Sequence, residues 1–270
     1  MAVLPGIHDG SFKKLSRTTK IKGLELSSDM NYAELYNRQY ATGKIVGAEV
    51  PHSGLRKLVA PFNLDLTVEQ LAAELLPPSR VFLDAGCGEG ALCFMLAPRY
   101  ERLIGVDVAE VRVARAEERA AREYSERDKF LFRVANLDRP LPIPDTSIDV
   151  LCSLNVIEHV FDVYSLLSDF HRVLKPGGLA LFQVPNIGYL RHRARLLLGK
   201  LPITSSPHNW SEIGWDGGHL HYFTMSSFCE LLSHTGFTIL RQTGTGLFGR
   251  WRNWRPSLLT GDLVVLVQRS

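Results

Sequence analysis

The stretch from Val81 to Gly90, which reads VFLDAGCGEG, decides the fold. An apolar run leads to Asp84, and Gly86, Gly88 and Gly90 then alternate with other residues. This order is typical of a β-strand that runs into a glycine-rich turn before an apolar helix begins. Glycine is favoured where the backbone adopts positive φ, or where a ligand must approach it without a Cβ in the way. We therefore predict that a cofactor packs on this turn.

The spacing of the turn and two acidic residues near it indicate which cofactor. A dinucleotide-binding turn reads GxGxxG and places a pyrophosphate at a helix N-terminus, whereas this turn reads GxGxG. Asp84 adds a negative charge, which suits a cationic amino-acid cofactor better than a pyrophosphate. The next strand ends at Asp107, where a carboxylate accepts hydrogen bonds from ribose hydroxyls. One Asp after an apolar run is more often a helix cap, but two in one strand–turn–helix–strand unit favour cofactor binding.

Short apolar runs alternate with helical segments over most of the remaining chain. We predict strands at Val81–Asp84, Leu103–Val108, Phe130–Ala135, Ile148–Leu154, Leu179–Val184, Gly236–Thr243 and Asp262–Arg269, and helices at Leu66–Leu76, Ala91–Ala97, Val111–Tyr124 and Tyr164–Leu174. Short apolar strands separated by helices are typical of a parallel sheet that is covered on both faces. The predicted fold class is therefore α/β, doubly wound.

Local signals mark where some of these elements begin and end. Thr67 with Gln70 three residues later predicts a capped helix start, and Pro77–Pro78 predicts its end. The segment Lys175–Gly178 suits a type II turn between a helix and a strand, with Gly177 at the position that requires positive φ.

Two segments depart from the alternation. Residues 1–50 are polar and predict an N-terminal arm with one helical stretch at Asn31–Tyr40, ahead of an α/β domain at residues 51–270. Residues 186–235 interrupt that domain for long enough to be a lid or a substrate-binding insertion instead of a simple connection.

An ordered set of motifs resembles that of class I S-adenosylmethionine (SAM)-dependent methyltransferases. The motifs are Asp84–Gly90, Gly105–Asp107, Ala135–Asp138, Leu141–Val150 and Leu174–Gly178. The resemblance covers about residues 78–185 and is specific as an ordered set. It implies a Rossmann-like, seven-stranded, mostly parallel sheet with an antiparallel last strand, SAM as cofactor, and methyl transfer as activity.

The resemblance also implies roles for individual residues. Asp107 would bind the ribose of SAM. Asn136 stands where family members usually have Asp, near the adenine amino group, and its amide oxygen can still accept that hydrogen bond. Leu137 would contribute a backbone N–H or an apolar contact to the adenine. The methionine part of SAM would be contacted by Asp84, Gly86 and Gly88.

The C-terminal third resembles two branches of this superfamily. Val184–Pro202 and Gly218–Thr224 are similar to MetW-type proteins, which are associated with homoserine acyltransferase partners in methionine synthesis. The stretch HLHYFT within the second segment also resembles ubiquinone-type O-methyltransferases. The first likeness implies an alternative function, in which the chain binds SAM and regulates a partner acyltransferase.

His159 is the candidate catalytic residue. It lies in the pattern IEHV, which is similar to many catalytic O-methyltransferases and which MetW-type proteins generally lack. SAM is already activated, so an enzyme must align the displacement and remove the proton of the acceptor. A His at the carboxyl end of a central strand faces the ligand crevice, and an ordinary pKa of about 6.5 suits a general base. The alternative is that His159 caps a helix or hydrogen-bonds a backbone carbonyl.

Three further residues, His219, His221 and Tyr222, are candidates for the acceptor pocket, although packing roles are equally compatible with their positions. The two histidines have no identified third ligand, so we predict no metal. The resemblance leaves a small molecule, a lipid or a glycan as the acceptor class, with a hydroxyl oxygen preferred because His159 would have a proton to remove.

Two basic stretches with apolar residues, Arg191–Lys200 and Arg250–Arg255, lie in the C-terminal third. The first has apolar positions at helical spacing and predicts an amphipathic lid that rests on the sheet edge. In the second stretch, Arg residues beside Trp residues can bind phosphate or an acidic protein. No RNA-binding module is recognisable, so we expect a solvated loop or protein interface and no nucleic acid.

Composition excludes several classes of protein. No stretch is apolar for the roughly 18 residues of a membrane span, and the first residues lack a signal-peptide core. We therefore predict a cytoplasmic protein without a membrane span. The cysteines show no CxxC pair, so we expect reduced core thiols and neither a disulfide framework nor a zinc site. They are Cys87, Cys93, Cys152 and Cys229.

Overall fold

A computed structural model of the protein describes residues 20–21, 24–25, 65–205 and 218–270. The strands are β1 Lys20–Ile21, β2 Leu24–Glu25, β3 Asp65–Leu66, β4 Ser79–Ala85, β5 Tyr100–Asp107, β6 Phe130–Val134, β7 Ile148–Leu154, β8 Leu174–Pro185, β9 Phe237–Thr243, β10 Gly246–Leu247 and β11 Asp262–Arg269. The α-helices are α1 Val68–Leu75, α2 Ala91–Leu96, α3 Glu110–Glu123, α4 Val163–Val173, α5 Leu190–Leu197, α6 Met225–His234, α7 Gly249–Arg252 and α8 Pro256–Leu259.

The seven long strands form one sheet in the order β6-β5-β4-β7-β8-β11-β9. The first five of these pair in parallel. Strand β11 pairs antiparallel with both β8 and β9, so the last strand alone runs against the others. The predicted α/β, mostly parallel sheet with an antiparallel last strand is therefore confirmed.

Helices cover both faces of the sheet, because successive side chains of a strand point to opposite faces. Phe82 and Val150 belong to the core on the face that α1, α2 and α3 cover. Leu83 and Leu151 belong to the core on the other face, which α4 and α6 cover. Burial of each such side chain contributes about 1.5–3 kcal/mol relative to exposure. Three of the four cysteines are also buried as free thiols.

Local signals place α1 as predicted. Thr67 accepts a hydrogen bond from the backbone N–H of Gln70, whose side chain accepts one from the backbone N–H of Thr67. This capping box confirms the predicted helix start, and α1 ends at Leu75, just before the two prolines.

The turn after α4 differs from its prediction in one respect. Gly177 has a φ of +76°, as the type II turn requires. The segment Lys175–Gly178 nevertheless lies inside β8, because Ile148 pairs with Leu174 and Val150 with Leu179. The residues between these pairs form a bulge, so the strand begins directly after the helix instead of after a separate connection.

Helix α5 forms where an amphipathic helix is predicted, but its apolar face is not the buried one. Its buried side chain is His192, whereas Leu190 is exposed and Leu197 is 87% exposed. The prediction that these leucines rest on the sheet edge is therefore wrong, because both side chains are exposed instead of buried against the described sheet.

Two predictions about organisation remain open. The predicted helix at Asn31–Tyr40 lies outside the described residues, and so does part of the predicted insertion at residues 186–235. The division into an arm and a domain therefore stays a prediction. Within the described part of the chain, no helix has the length and apolar character that crossing a bilayer requires.

Candidate functional site

The glycine-rich turn follows β4 at the carboxyl edge of the sheet. Gly86, Gly88 and Gly90 have φ values of +91°, +54° and +76°. At Gly86 a Cβ would lie 2.1 Å from Cγ2 of Val156. Only glycine combines the required conformation with the available space at this position, so the turn brings its backbone close to neighbouring groups.

Asp107 joins the turn to the second strand of the unit. Its Oδ2 accepts a hydrogen bond of 2.8 Å from the backbone N–H of Gly88, and its Oδ1 accepts one of 2.9 Å from Ala109. Each carboxylate oxygen can accept more than one hydrogen bond. The ribose hydroxyls that the sequence assigns to Asp107 would therefore meet a carboxylate already fixed by the backbone.

Asp84 is a buried carboxyl at the end of β4. Burial, and to a lesser extent the nearby charge of Asp107, raises its pKa from 3.8 to about 7. The thiol of Cys93, 3.9 Å from Oδ2, and the Arg112 guanidinium act in the opposite direction. A ligand cation at this place would favour the ionised carboxylate and would itself be held by it.

Arg112 is a site residue that the sequence analysis did not identify. It lies in the first turn of α3, and its side chain covers the glycine-rich turn. A Cβ added to Gly88 would lie 2.0 Å from a terminal nitrogen of Arg112. The Arg112 guanidinium is also near enough to Asp84 to lower its pKa. The turn therefore presents a positive and a negative group together. An arginine in the first turn of the helix that follows Asp107 is the signal that could have identified it.

Asn136 and Leu137 follow β6. Oδ1 of Asn136 accepts a hydrogen bond of 2.9 Å from the backbone N–H of Asp138, so the amide oxygen proposed for the adenine also shapes this turn. The side chain of Leu137 belongs to the core under β4 and β7. Of the two adenine contacts predicted for Leu137, the structure therefore favours the backbone N–H.

His159 lies in a short 3₁₀ helix, Ile157–His159, just beyond the carboxyl end of β7. Its Nδ1 is 2.5 Å from the carbonyl oxygen of Gly218. A carbonyl oxygen only accepts hydrogen bonds, so Nδ1 carries the proton and Nε2 is the basic nitrogen of the neutral ring. The structure therefore shows the bond to a backbone carbonyl that the sequence offered as the alternative to catalysis, and the catalytic role of His159 stays a prediction.

Glu158 is a second site residue that the sequence analysis did not assign. Its side chain is 1% exposed, and neither carboxyl oxygen has a hydrogen-bond partner among the described residues. Burial, with a smaller contribution from the charge of Asp262, raises its pKa from 4.5 to about 8. Oε1 lies 4.0 Å from Nε2 of His159. A carboxyl that burial keeps largely protonated at neutral pH therefore lies beside the candidate base.

The three acceptor-pocket candidates occupy different environments. The ring of His219 contacts that of His159 edge-on at 4.8 Å between centroids, and its Nδ1 is 2.7 Å from Oγ1 of Thr204. Nε2 of His221 is 2.8 Å from the carbonyl oxygen of Val160, so this ring holds the backbone in place. Tyr222 is 47% exposed. The structure thus brings His219, but not His221, to the candidate base.

Two imidazoles and one carboxyl meet at this point. Ligand atoms of Glu158, His159 and His219 all lie within 4.8 Å of one another. Imidazole and carboxylate are ligands that Zn²⁺ and other divalent transition metals accept. Among the described residues, this cluster is the one that could hold a metal ion, at a place where the sequence predicts none.

Comparisons with known proteins agree on one family. The profile of a family described as "Methyltransferase domain" matches residues 83–182. A ubiquinone biosynthesis O-methyltransferase of Ruegeria pomeroyi is 30% identical over 207 residues, which cover 72% of this chain and 78% of that protein.

Other matches cover a shorter part of the relatives. A probable S-adenosylmethionine-dependent methyltransferase of Mycolicibacterium smegmatis is 41% identical over 107 residues, which cover 40% of this chain and 38% of that protein. The chain spans 36% to 45% of the length of the first curated relatives that it matches. Among solved structures, a SAM-dependent methyltransferase from Mesorhizobium loti has a TM-score of 0.56 at 22% identity, over 75% of this chain and 98% of that one. At 22% identity, the match to the Mesorhizobium structure shows a shared fold.

Proposed function

This chain belongs to the class I SAM-dependent methyltransferases, and on that premise we propose that it transfers the methyl group of SAM to a hydroxyl oxygen. The acceptor is a small molecule, a lipid or a glycan. One observation carries the proposal of oxygen transfer, namely the 2.5 Å hydrogen bond that fixes the proton of His159 on Nδ1. That bond leaves Nε2 as the nitrogen that can take a proton.

The glycine-rich turn and the two Asp residues would hold SAM. Asp84 would bind the cationic amino group of the methionine part, and Asp107 the ribose hydroxyls. The adenine would lie at Asn136 and Leu137. These positions follow one another along the carboxyl ends of β4, β5 and β6, which is the edge where open α/β sheets bind ligands.

The reaction is a displacement at the methyl carbon. SAM held at that edge would supply an activated methyl group: the acceptor oxygen would bond to the methyl carbon, the carbon–sulfur bond would break, and S-adenosylhomocysteine would be the leaving group with the electron pair. The proton of the hydroxyl passes to Nε2 of His159, and the resulting imidazolium keeps its Nδ1–H bond to Gly218. The chain's main contributions are alignment of the two reactants and a place for this proton.

The preference for a hydroxyl acceptor over an amine rests on the proton that His159 would remove. A neutral amine can attack with its lone pair and release a proton afterwards, whereas a hydroxyl group is a weak nucleophile until its proton leaves. A fixed base beside the crevice is therefore more useful for a hydroxyl acceptor. The Ruegeria relative is a ubiquinone biosynthesis O-methyltransferase, which agrees with this preference.

Replacement of the base tests the proposal. We expect His159→Ala to lower turnover at least about a hundredfold while SAM affinity stays unchanged. Formation of S-adenosylhomocysteine, measured with catechol, polyprenyl phenol and sugar acceptors, reports turnover. His234→Ala is the matched control, because His234 is an exposed histidine on α6 that lies 3.8 Å from the carboxylate of Glu230. Unchanged turnover in His159→Ala would defeat the base assignment.

A parallel assay with a chelator distinguishes a His159 that acts as a base from a His159 that binds a metal ion. If His159 acts as a base alone, turnover persists with a chelator present and His219→Ala retains most of it. If turnover requires a divalent ion, the chelator and His219→Ala both abolish it. SAM binding without methyl transfer to any acceptor, together with recovery of a stoichiometric acyltransferase partner, would instead support the regulatory role that the MetW likeness implies.

A further inference from the structure

Two segments of the C-terminal third together form a surface rich in exposed apolar residues and cations, here named the amphiphilic surface. It consists of residues 190–201, which include α5, and residues 248–255, which include α7. On the first segment, Leu197 and Leu198 are 87% and 73% exposed, and Leu196 and Leu201 are exposed as well. On the second segment, Trp251 is 82% exposed.

Contacts hold the two segments side by side. The guanidinium of Arg252 donates a hydrogen bond of 3.2 Å to the hydroxyl of Tyr189, the residue just before α5, and lies over its ring. The side-chain amide of Asn186 donates to the carbonyl oxygen of Ser257 at 3.1 Å. Arg193 on α5 and Ser257 on α8 also line the same cavity. These contacts join the start of α5 to α7 and α8.

All Lys, Arg, Asp and Glu positions in this region are cations. Residues 189–205 and 246–261 contain seven Lys or Arg residues and no Asp or Glu. The cations are Arg191, Arg193, Arg195, Lys200, Arg250, Arg252 and Arg255. Arg250 forms an ion pair with Glu74 of α1, and the rest of the described pairs in these two segments are with neutral groups. The region therefore attracts anions.

Packing against the described part of the chain leaves the apolar residues at the end of α5 exposed. Arg195 donates to the carbonyl oxygen of Leu201, which folds the chain after Gly199 back beside the helix. This turn gathers the leucines at one tip, where they stand in water. Exposed leucines and an exposed tryptophan on segments whose charged residues are all cations are typical of surfaces that bury their apolar side chains in another medium.

We propose that the amphiphilic surface docks on a bilayer that contains anionic lipids. The leucines and Trp251 enter the boundary between headgroups and acyl chains, and the arginines bind lipid phosphates. A nucleic acid would match the charges but would leave the leucine tip in water. An acidic protein would need an apolar patch of its own for that tip, whereas a bilayer supplies both anions and an apolar layer.

The position of α5 gives this docking a consequence for the site. Helix α5 begins five residues after the end of β8, at the same carboxyl edge of the sheet as Asp84 and Asp107. A bilayer bound there lies beside the edge at which the acceptor would arrive. The docking itself does not rest on the proposed methyl transfer, because vesicle binding needs neither SAM nor an acceptor.

Sedimentation with sucrose-loaded vesicles tests the proposal on the full chain. The two vesicle types are phosphatidylcholine alone and phosphatidylcholine with about one third phosphatidylglycerol. We expect the protein to sediment with the anionic vesicles and to stay in solution with the neutral ones. Added salt should weaken the binding, because it screens exposed charges.

Two variants separate the apolar and the ionic contributions. The double variant Leu197→Ser/Leu198→Ser should bind the anionic vesicles at least about tenfold more weakly. Arg191→Glu should weaken binding about tenfold through the reversed charge. The changed side chains are exposed, so thermal melting should match the wild type. Matched controls are Met95→Ser on α2 and Arg127→Glu before β6, both exposed residues outside the surface, which should bind as the wild type does.

Several results would overturn the proposal. They are the absence of sedimentation with anionic vesicles, equal binding to neutral vesicles, or unchanged binding by both surface variants. Binding to a single-stranded RNA homopolymer that is insensitive to the leucine variant, together with failure on vesicles, would assign the surface to nucleic acid instead. None of these results bears on turnover, so the docking and the methyl transfer fail independently.

Discussion

Two buried carboxyl groups at the same edge of the sheet differ in their hydrogen bonds. Asp107 accepts hydrogen bonds from two backbone N–H groups, whereas neither oxygen of Glu158 has a partner among the described residues. The first belongs to the cofactor half of the edge, residues 84–137. The second belongs to the acceptor half, around residues 153–160 and 218–223. The backbone therefore satisfies Asp107, whereas nothing among the described residues hydrogen-bonds the Glu158 carboxyl.

The two halves also differ in how the chain assembles them. Gly88 and Asp107 are 19 residues apart, within one strand–turn–helix–strand unit. His159 and Gly218 are 59 residues apart and meet only after the chain has passed through α5. Buried Ser153 Oγ and Gln183 Oε1, on the neighbouring strands β7 and β8, also have no partner among the described residues. A local unit is preformed, whereas a site assembled from distant segments is left incomplete until its ligand arrives.

The largest expected effect comes from the turn of the cofactor half. Gly86→Ala introduces both a disfavoured φ and a contact with Val156, and should lower the free energy of unfolding by about 3 kcal/mol. Gly246 has a φ of +113° with no atom near its Cβ position, and Gly261 has neither constraint. Gly246→Ala should therefore cost about 1 kcal/mol and Gly261→Ala almost nothing. Urea denaturation measures all three. Equal effects in the three variants would mean that the turn is not a preformed structure.

The next effect concerns the charge of Asp84. Asp84→Asn keeps the shape but removes the anion, so SAM affinity should fall about thirtyfold, a loss of about 2 kcal/mol. Affinity for S-adenosylhomocysteine should fall similarly, because both ligands carry the amino group. Calorimetric titration measures both. Asp128→Asn, at an exposed Asp, is the control. An Asp84→Asn variant with unchanged affinity would remove the carboxylate from the cofactor half.

A smaller effect should follow pH. Because the pKa of Asp84 is raised to about 7, the free folded protein holds a proton that the ionised carboxylate must release before it binds a cation. SAM affinity should be full above about pH 7 and fall up to about tenfold per pH unit below it. The same raised pKa stabilises the free fold below its ordinary value of 3.8, and this stabilisation is lost as pH rises through about 7. Titrations with SAM across this pH range should show no pH dependence of affinity in Asp84→Asn. If the affinity of that variant depends on pH as the wild type does, the dependence belongs to another group.

The smallest effect tests the acceptor half. Glu158 has its pKa raised from 4.5 to about 8, so the stability it contributes is present below its ordinary pKa and is lost as pH rises through about 8. With a chelator present, Glu158→Gln should exceed the wild type in free energy of unfolding above that pH by at least about 1 kcal/mol. Thermal melts at several pH values measure it. A wild type that is the more stable protein at alkaline pH would show that Glu158 has a partner after all.

The sequence could predict what depends on neighbours along the chain. The capping box at Thr67, the presence and order of the seven long strands and the positive φ of Gly177 follow from local spacing and residue type. The bulge at Lys175–Gly178 was missed because a strand's register depends on its neighbour, here β7. The antiparallel last strand came from the family resemblance instead of from local pattern.

The candidate site was predictable to a smaller extent. Asp84, Asp107 and His159 lie at strand ends, where pattern alone can place them. Arg112 and Glu158 gain their importance from what lies beside them in space, namely Gly88 and the His159 ring. The leucines of α5 show the same limit, because helical spacing predicts an apolar face but not what covers it. The acceptor, the cytoplasmic location and a protein partner stay predictions for the same reason.

Calorimetric titration of the full wild-type chain with SAM, with S-adenosylhomocysteine and with NAD tests most directly whether the glycine-rich turn and its two carboxylates form a SAM site. We expect one site per chain for each of the first two ligands, with a Kd on the order of micromolar, and no heat of binding with NAD. Absence of binding to both SAM and S-adenosylhomocysteine, or preference for NAD, would contradict the account.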